Sequence, residues 1–176
     1  MPPADHSAWV SELLAHLDRH GPEASAALQY IEQHRIRVGV HDQPTGARWT
    51  IRRRLEFHPR YASGSADDLY AVSLIVHEVR HLQQGRLTAL SVYGEMEAWQ
   101  LQFGFLKRVT GRYHPEPQRE AVLAELMRQP LGWDRQVLQH VRELMQSYAG
   151  KVYRIDLLPL YPLDREIAFR LTRHRA

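Results

Sequence analysis

Leu69-Tyr70-Ala71-Val72-Ser73-Leu74-Ile75-Val76-His77-Glu78-Val79-Arg80-His81-Leu82-Gln83-Gln84 is the stretch on which the reading of this chain turns. Leu69, Val72, Ile75, Val76, Val79 and Leu82 recur at spacings of three and four, so the stretch is predicted to form a helix with one apolar face. Ser65 with Asp68 three residues later fits a capping arrangement at its start, and Gly85 suits its end. Inside this helix lies His77-Glu78-Val79-Arg80-His81. Residues four apart on an α-helix differ by about 40° around the axis and about 6 Å along it. Two imidazoles so placed reach one ion from the same side, because helical side chains lean together toward the N-terminus. Glu78 lies beside that face, where its carboxylate can accept a proton from an activated water instead of binding metal. Two histidines and a glutamate in an apolar helix need a reason to be there.

The chain contains an internal control. His16 and His20 are also four apart on a predicted helix, but leucine follows the first of them. No base accompanies that pair, and both are expected at the surface.

Two histidines do not hold a catalytic metal firmly; three protein ligands and a water are usual for zinc. The chain has no cysteine, so the third ligand must be His, Asp or Glu. Working outward past Gly85, a second long helix is predicted from about Ser91 to Thr110, closed by Gly111. A short connection centred near Thr88 makes the two helices neighbours, roughly antiparallel. His81 then stands seven residues before the turn and Glu95 seven after it, at similar height. Glu97 points about 200° away from Glu95 on the same helix, so one of the two acids faces the histidines. Glu95 is the preferred ligand and Glu97 the alternative; both could also be solvated acids favouring the helix dipole.

His77-Glu78-x-x-His81 followed by Glu95-Met96-Glu97-Ala98-Trp99 resembles the gluzincin branch of the zincin metallopeptidases, over about residues 68–102. The run from Glu95 to Ala98 is similar to the ExEAD segment of membrane-associated gluzincins that process prenylated or misfolded proteins. The resemblance implies zinc held by His77, His81 and Glu95, with Glu78 as general base for peptide-bond hydrolysis. It also implies a zincin-like fold with a sheet before the active-site helix, whose edge strand can take an extended substrate. Trp99 stands where that segment has aspartate, so another group must orient the ligand histidine. Transition-state stabilisation would come from a Tyr, His or Arg; Tyr93, His58, His114 and Tyr161 are the candidates. The metzincin pattern fails at Gln84 and Leu87, and deformylases need a cysteine ligand.

The rest of the chain suits this frame. Helices are predicted over Ser7–His20, Pro22–His34, Glu116–Arg128 and Asp134–Tyr148, with a possible short strand at Lys151–Ile155 and a final short helix. Ile36–Val40 and Trp49–Phe57 read as strands that could pair as a hairpin. The expected class is α+β, mostly helical, in one domain spanning the 176 residues. The start, MPPADHSAWV, lacks the pattern of a signal peptide, and no window approaches the roughly eighteen apolar residues of a membrane span. A cytoplasmic protein without a membrane partner is expected. Arg52-Arg53-Arg54 is the densest basic cluster, but a strand would send alternate side chains to opposite faces. Without a broad basic stripe, nucleic acid is not expected as a partner, and a peptide or protein substrate is. The competing expectation is a zinc-binding regulatory or interaction protein on a zincin scaffold, without peptidase activity.

Overall fold

The computed structural model describes residues 5–150 and 153–173. The chain is mostly helical with one small sheet, an α+β arrangement. It divides into two compact units, Met1–Arg80 and His81–Ala176, with the boundary inside one continuous helix, α4 (Leu69–Gln84).

In the first unit, α1 (Ser7–His16) tightens into a 3₁₀ turn at Leu17–His20. Gly21, at φ 103°, then lets the chain turn into α2 (Pro22–Gln33), where proline fits the first helical position. The predicted first helix is therefore a helix plus a 3₁₀ turn. Three strands follow: β1 (Arg37–Val40), β2 (Ala47–Trp49) and β3 (Arg54–Phe57). The sheet order is β1-β3-β2. This corrects the predicted hairpin. The segment Trp49–Phe57 is not one strand; it breaks at a turn in which Arg53 adopts φ 57°, a conformation no strand contains. Thr50 fixes the turn, its amide donating to the Arg54 carbonyl at 2.9 Å and its Oγ1 accepting from the Arg54 amide at 3.2 Å. The hairpin partner of β3 is thus β2, in antiparallel register, while β1 pairs with β3 in parallel. Leu55 and Phe57 project from β3 into the core, and Phe57 meets Trp9 of α1 edge to face, 5.4 Å between ring centroids.

A short helix, α3 (Pro59–Ala62), leads toward α4. The cap of α4 is Asp68, whose Oδ1 accepts from the Tyr70 amide at 2.8 Å. Ser65 accepts from Asp67 instead of reaching the helix, so the predicted capping arrangement is shifted onto the acid.

The second unit begins with the last turn of α4. A one-turn helix, α5 (Arg86–Ala89), fills the connection that the sequence suggested was a loop. Next come α6 (Val92–Thr110), α7 (Pro117–Arg128), α8 (Arg135–Ala149) and α9 (Leu163–Arg173). Gly111 closes α6 in the left-handed conformation, as predicted, and Asp134 caps α8 through bonds from Gln136 and Val137. Phe103, Leu123, Leu126, Leu138, Val141 and Met145 form the buried interior of the α6–α8 bundle. Of the predicted strand at Lys151–Ile155, residues 151 and 152 lie outside the described residues, and Ile155 opens a 3₁₀ turn. No helix among the described residues is long and apolar enough to cross a membrane.

Candidate metal centre

The apolar face of α4 carries three polar side chains into the interior: His77, Glu78 and His81 are all buried, His81 to 2% exposure. His77 and His81 sit one turn apart on this helix. Glu95, in the first turn of α6, completes the group: His77, His81 and Glu95 each offer a ligand atom within 4.8 Å of the others. The structure thus brings His77, His81 and Glu95 together, as the sequence suggested, and leaves Glu97 outside the group.

The corner that delivers Glu95 is built without slack. Ser91 caps α6, its Oγ accepting from the Gly94 amide at 3.0 Å while donating to the Thr88 carbonyl at 2.6 Å. A Cβ on Gly94 would stand 2.0 Å from that carbonyl oxygen, so only glycine fits. The Val92 and Tyr93 amides, left over at the helix start, donate to the Pro159 and Leu160 carbonyls.

Gln84 answers the need for a partner to the ligand histidine. Its Nε2 donates to the Gly94 carbonyl at 2.9 Å and to Glu97 Oε2 at 2.7 Å. A carbonyl and a carboxylate only accept, so these bonds fix which end of the amide is nitrogen. Oε1 is thereby turned to His81 Nδ1 at 3.1 Å, and as Oε1 cannot donate, the imidazole proton sits on Nδ1. The lone pair of His81 is then on Nε2, which faces Glu95 Oε1 at 3.4 Å. Two electron-pair donors facing each other in a buried place need a cation between them, a proton or a metal ion. Ligands about 2.0–2.1 Å from a tetrahedral zinc stand about 3.3–3.4 Å apart, which matches this separation. The donor set of two imidazoles and one carboxylate therefore suits a divalent metal in chemistry, and its three ligand atoms, within 4.8 Å of one another, could hold one. Glu97 lies outside this group; its Oε2 accepts from Gln84, the residue whose Oε1 faces His81.

Two further contacts escaped sequence reasoning. The Tyr153 hydroxyl donates to Glu95 Oε2, and Trp99 Nε1 donates to the same hydroxyl at 3.2 Å. Trp99 and Tyr153 thus form a chain of hydrogen bonds that steadies the Glu95 carboxylate. On the other side, the Trp49 amide of β2 donates to Glu78 Oε2 at 2.8 Å, fixing the carboxylate against the outer edge of the sheet. Gln84 was legible as the residue one turn beyond His81. Tyr153 offered no signal, since nothing in spacing ties it to Glu95.

The four candidate stabilisers have other engagements. His58 caps α3 through Nδ1, Tyr93 stacks on Trp133 at 4.0 Å, and His114 accepts from the Glu116 amide at 3.0 Å. Burial and the neighbouring Arg119 hold the His114 imidazole below its usual pKa. Tyr161 is buried. The control pair also differs from its expectation: His16 and His20 are not simple surface side chains but converge on Asp67 Oδ1, at 3.4 and 3.0 Å.

Comparison of the chain with protein-family profiles, with curated protein sequences and with solved structures finds no match.

Proposed function

We propose that this protein is a zinc-dependent metallopeptidase of the gluzincin type, with a zincin-like fold. The observation that carries the reading is the buried His77–His81–Glu95 group with Glu78 alongside it on the same helix. A zinc ion held there would polarise a scissile carbonyl and lower the pKa of a water molecule. His77 and His81 would hold it through neutral imidazoles, the latter oriented by Gln84, and Glu95 would hold it as a carboxylate steadied by Tyr153. Glu78 takes the proton from the attacking water and delivers it to the leaving amine, so one water is consumed per peptide bond cleaved. Its hydrogen bond from Trp49 keeps one oxygen occupied and aims the carboxylate. The same strand, β2, is an edge of the sheet and antiparallel to β3, which suits an extended peptide added along it.

Glu78→Gln tests this reading. The amide preserves size and burial but cannot accept the proton, so the variant is expected to keep its metal and lose turnover of a mixed peptide library by about 10²-fold or more. Undiminished hydrolysis in that variant would remove Glu78 from the chemistry. Metal-loaded wild-type protein that cleaves no peptide would favour the regulatory or interaction role on the same scaffold.

A further inference from the structure

The turn between β2 and β3 changes the meaning of the arginine run. In one continuous strand, Arg52, Arg53 and Arg54 would have been divided between two faces; with Arg52 and Arg53 in the turn and Arg54 opening β3, all three are exposed at one end of the sheet. Register adds to them. Arg37 of β1 is the ladder partner of Arg54, and Arg35 precedes β1 at the same end. All five guanidinium groups are exposed, and none has an ion pair with an acid among the described residues. The neighbouring acid on β3, Glu56, is occupied by Arg48 at 2.7 Å. The chain carries a formal charge of +3; without these five residues it would carry −2.

This end of the sheet adjoins the candidate active site. Trp49, whose amide donates to Glu78, pairs in register with Leu55, the residue after Arg54, and the arginine turn begins three residues beyond Trp49. The outer edge of β2 therefore leads from Glu78 toward the basic end of the sheet. Unpaired guanidinium forks match carboxylates in geometry as well as charge. The exposed side chain set among them is Ile51, 64% exposed and aliphatic, and the nearby exposed ring of His34 is packed against Tyr30, 4.2 Å between centroids, instead of standing free for a base.

We propose that this arginine-rich sheet end is a docking surface for an acidic polypeptide segment, the charged flank of the substrate on which Glu78 acts. The basic surface stands on the exposed arginines by themselves; its assignment to a polypeptide substrate rests on the metallopeptidase reading above. Acidic side chains lying beyond the scissile bond bind the arginines, and the residues nearer that bond lie along β2.

The test uses the full chain carrying Glu78→Gln, so that bound peptides are not consumed. Binding is followed by fluorescence anisotropy with two labelled peptides of equal length. One carries Asp and Glu through one half, and the other carries Asn and Gln at those positions. At about 0.05 M salt the acidic peptide is expected to bind about tenfold more tightly, and at about 0.5 M the advantage should vanish as the charges are screened. Arg52→Glu with Arg54→Glu should abolish the advantage, leaving Arg53 and its left-handed backbone untouched. Arg37→Glu, on the neighbouring strand, should reduce it independently. Both variants should retain metal content and helical circular dichroism. Equal affinities for the two peptides, or an advantage that survives both variants, would overturn the proposal. So would tighter, arginine-dependent binding of a single-stranded oligonucleotide. Turnover of the neutral peptide by wild-type protein is measured in parallel: its absence alongside arginine-dependent acidic binding supports the docking surface while refuting the hydrolase.

Discussion

Replacing Gln84 by alanine removes a side chain that touches neither metal nor substrate, yet it should weaken metal binding sharply. The lost amide makes three hydrogen bonds: from His81 Nδ1 at 3.1 Å, to Gly94 O at 2.9 Å and to Glu97 Oε2 at 2.7 Å. The first selects the tautomer that presents His81 Nε2 to the metal, and the other two select the orientation of the amide itself. Without it, the imidazole is free to place its proton on Nε2 and must lose it before binding. Partners of ligand histidines typically contribute about 10–100-fold in metal affinity, which is about 1.4–2.8 kcal/mol at 25 °C. The expected dissociation constant therefore rises by about that factor. Competition against a chelator of known affinity measures the change, and denaturant unfolding with and without metal separates it from general stability. The metal-free protein should lose about 1–3 kcal/mol, because Glu97 and the buried Gly94 carbonyl are left without this donor. A variant that binds metal within about twofold of wild type, well under the expected loss, would refute the proposed orienting role.

Other substitutions probe the same corner. Gly94→Ala forces a Cβ to 2.0 Å from the Thr88 carbonyl oxygen, so the backbone of α6 or α5 must shift. A cost of about 3 kcal/mol, the upper part of the usual overpacking range, lowers the melting temperature by about 6–12 °C, and calorimetry on metal-free protein checks it. Tyr153→Phe removes one donor to Glu95 without changing the packing of the ring on Trp99, 5.6 Å between centroids. Hydrogen bonds to charged groups contribute about 1.5–3 kcal/mol, and this one is present without metal, so the metal-free melting temperature should fall by about 3–12 °C and metal affinity should fall as Glu95 loses the donor that steadies it. An unchanged chelator titration would show that Glu95 is held without Tyr153.

The helices were legible because their signals are local: caps at Ser91 and Asp134, breaks at Gly21 and Gly111, and apolar spacing along α4 and α6. The grouping of His77, His81 and Glu95 was legible for the same reason, since His77 and His81 are one helical turn apart and Glu95 follows the next corner. The sheet was misread because Trp49, Ile51, Leu55 and Phe57 keep the same alternating phase across the arginine run, whereas the break depends on a backbone conformation at Arg53 that arginine does not advertise. Parallel pairing of β1 with β3 is a long-range choice with no signature in either strand. The hydrogen-bond partners of the site divide along the same line. Gln84 is local to His81 and could have been found by helical spacing, but the contacts of Tyr153 with Glu95 and of Trp49 with Glu78 arise only from tertiary packing.

Metal analysis of protein purified without added metal bears most directly on whether two imidazoles and a carboxylate on successive helices hold one ion. Mass spectrometry of the metals in wild-type protein should find about one equivalent of zinc per chain, as expected for a three-ligand protein site. Glu97→Ala should remain largely loaded and Glu95→Ala should lose its zinc. Wild-type protein that stays metal-free after incubation with zinc and gel filtration, or a Glu95→Ala variant that retains a full equivalent, would contradict the account.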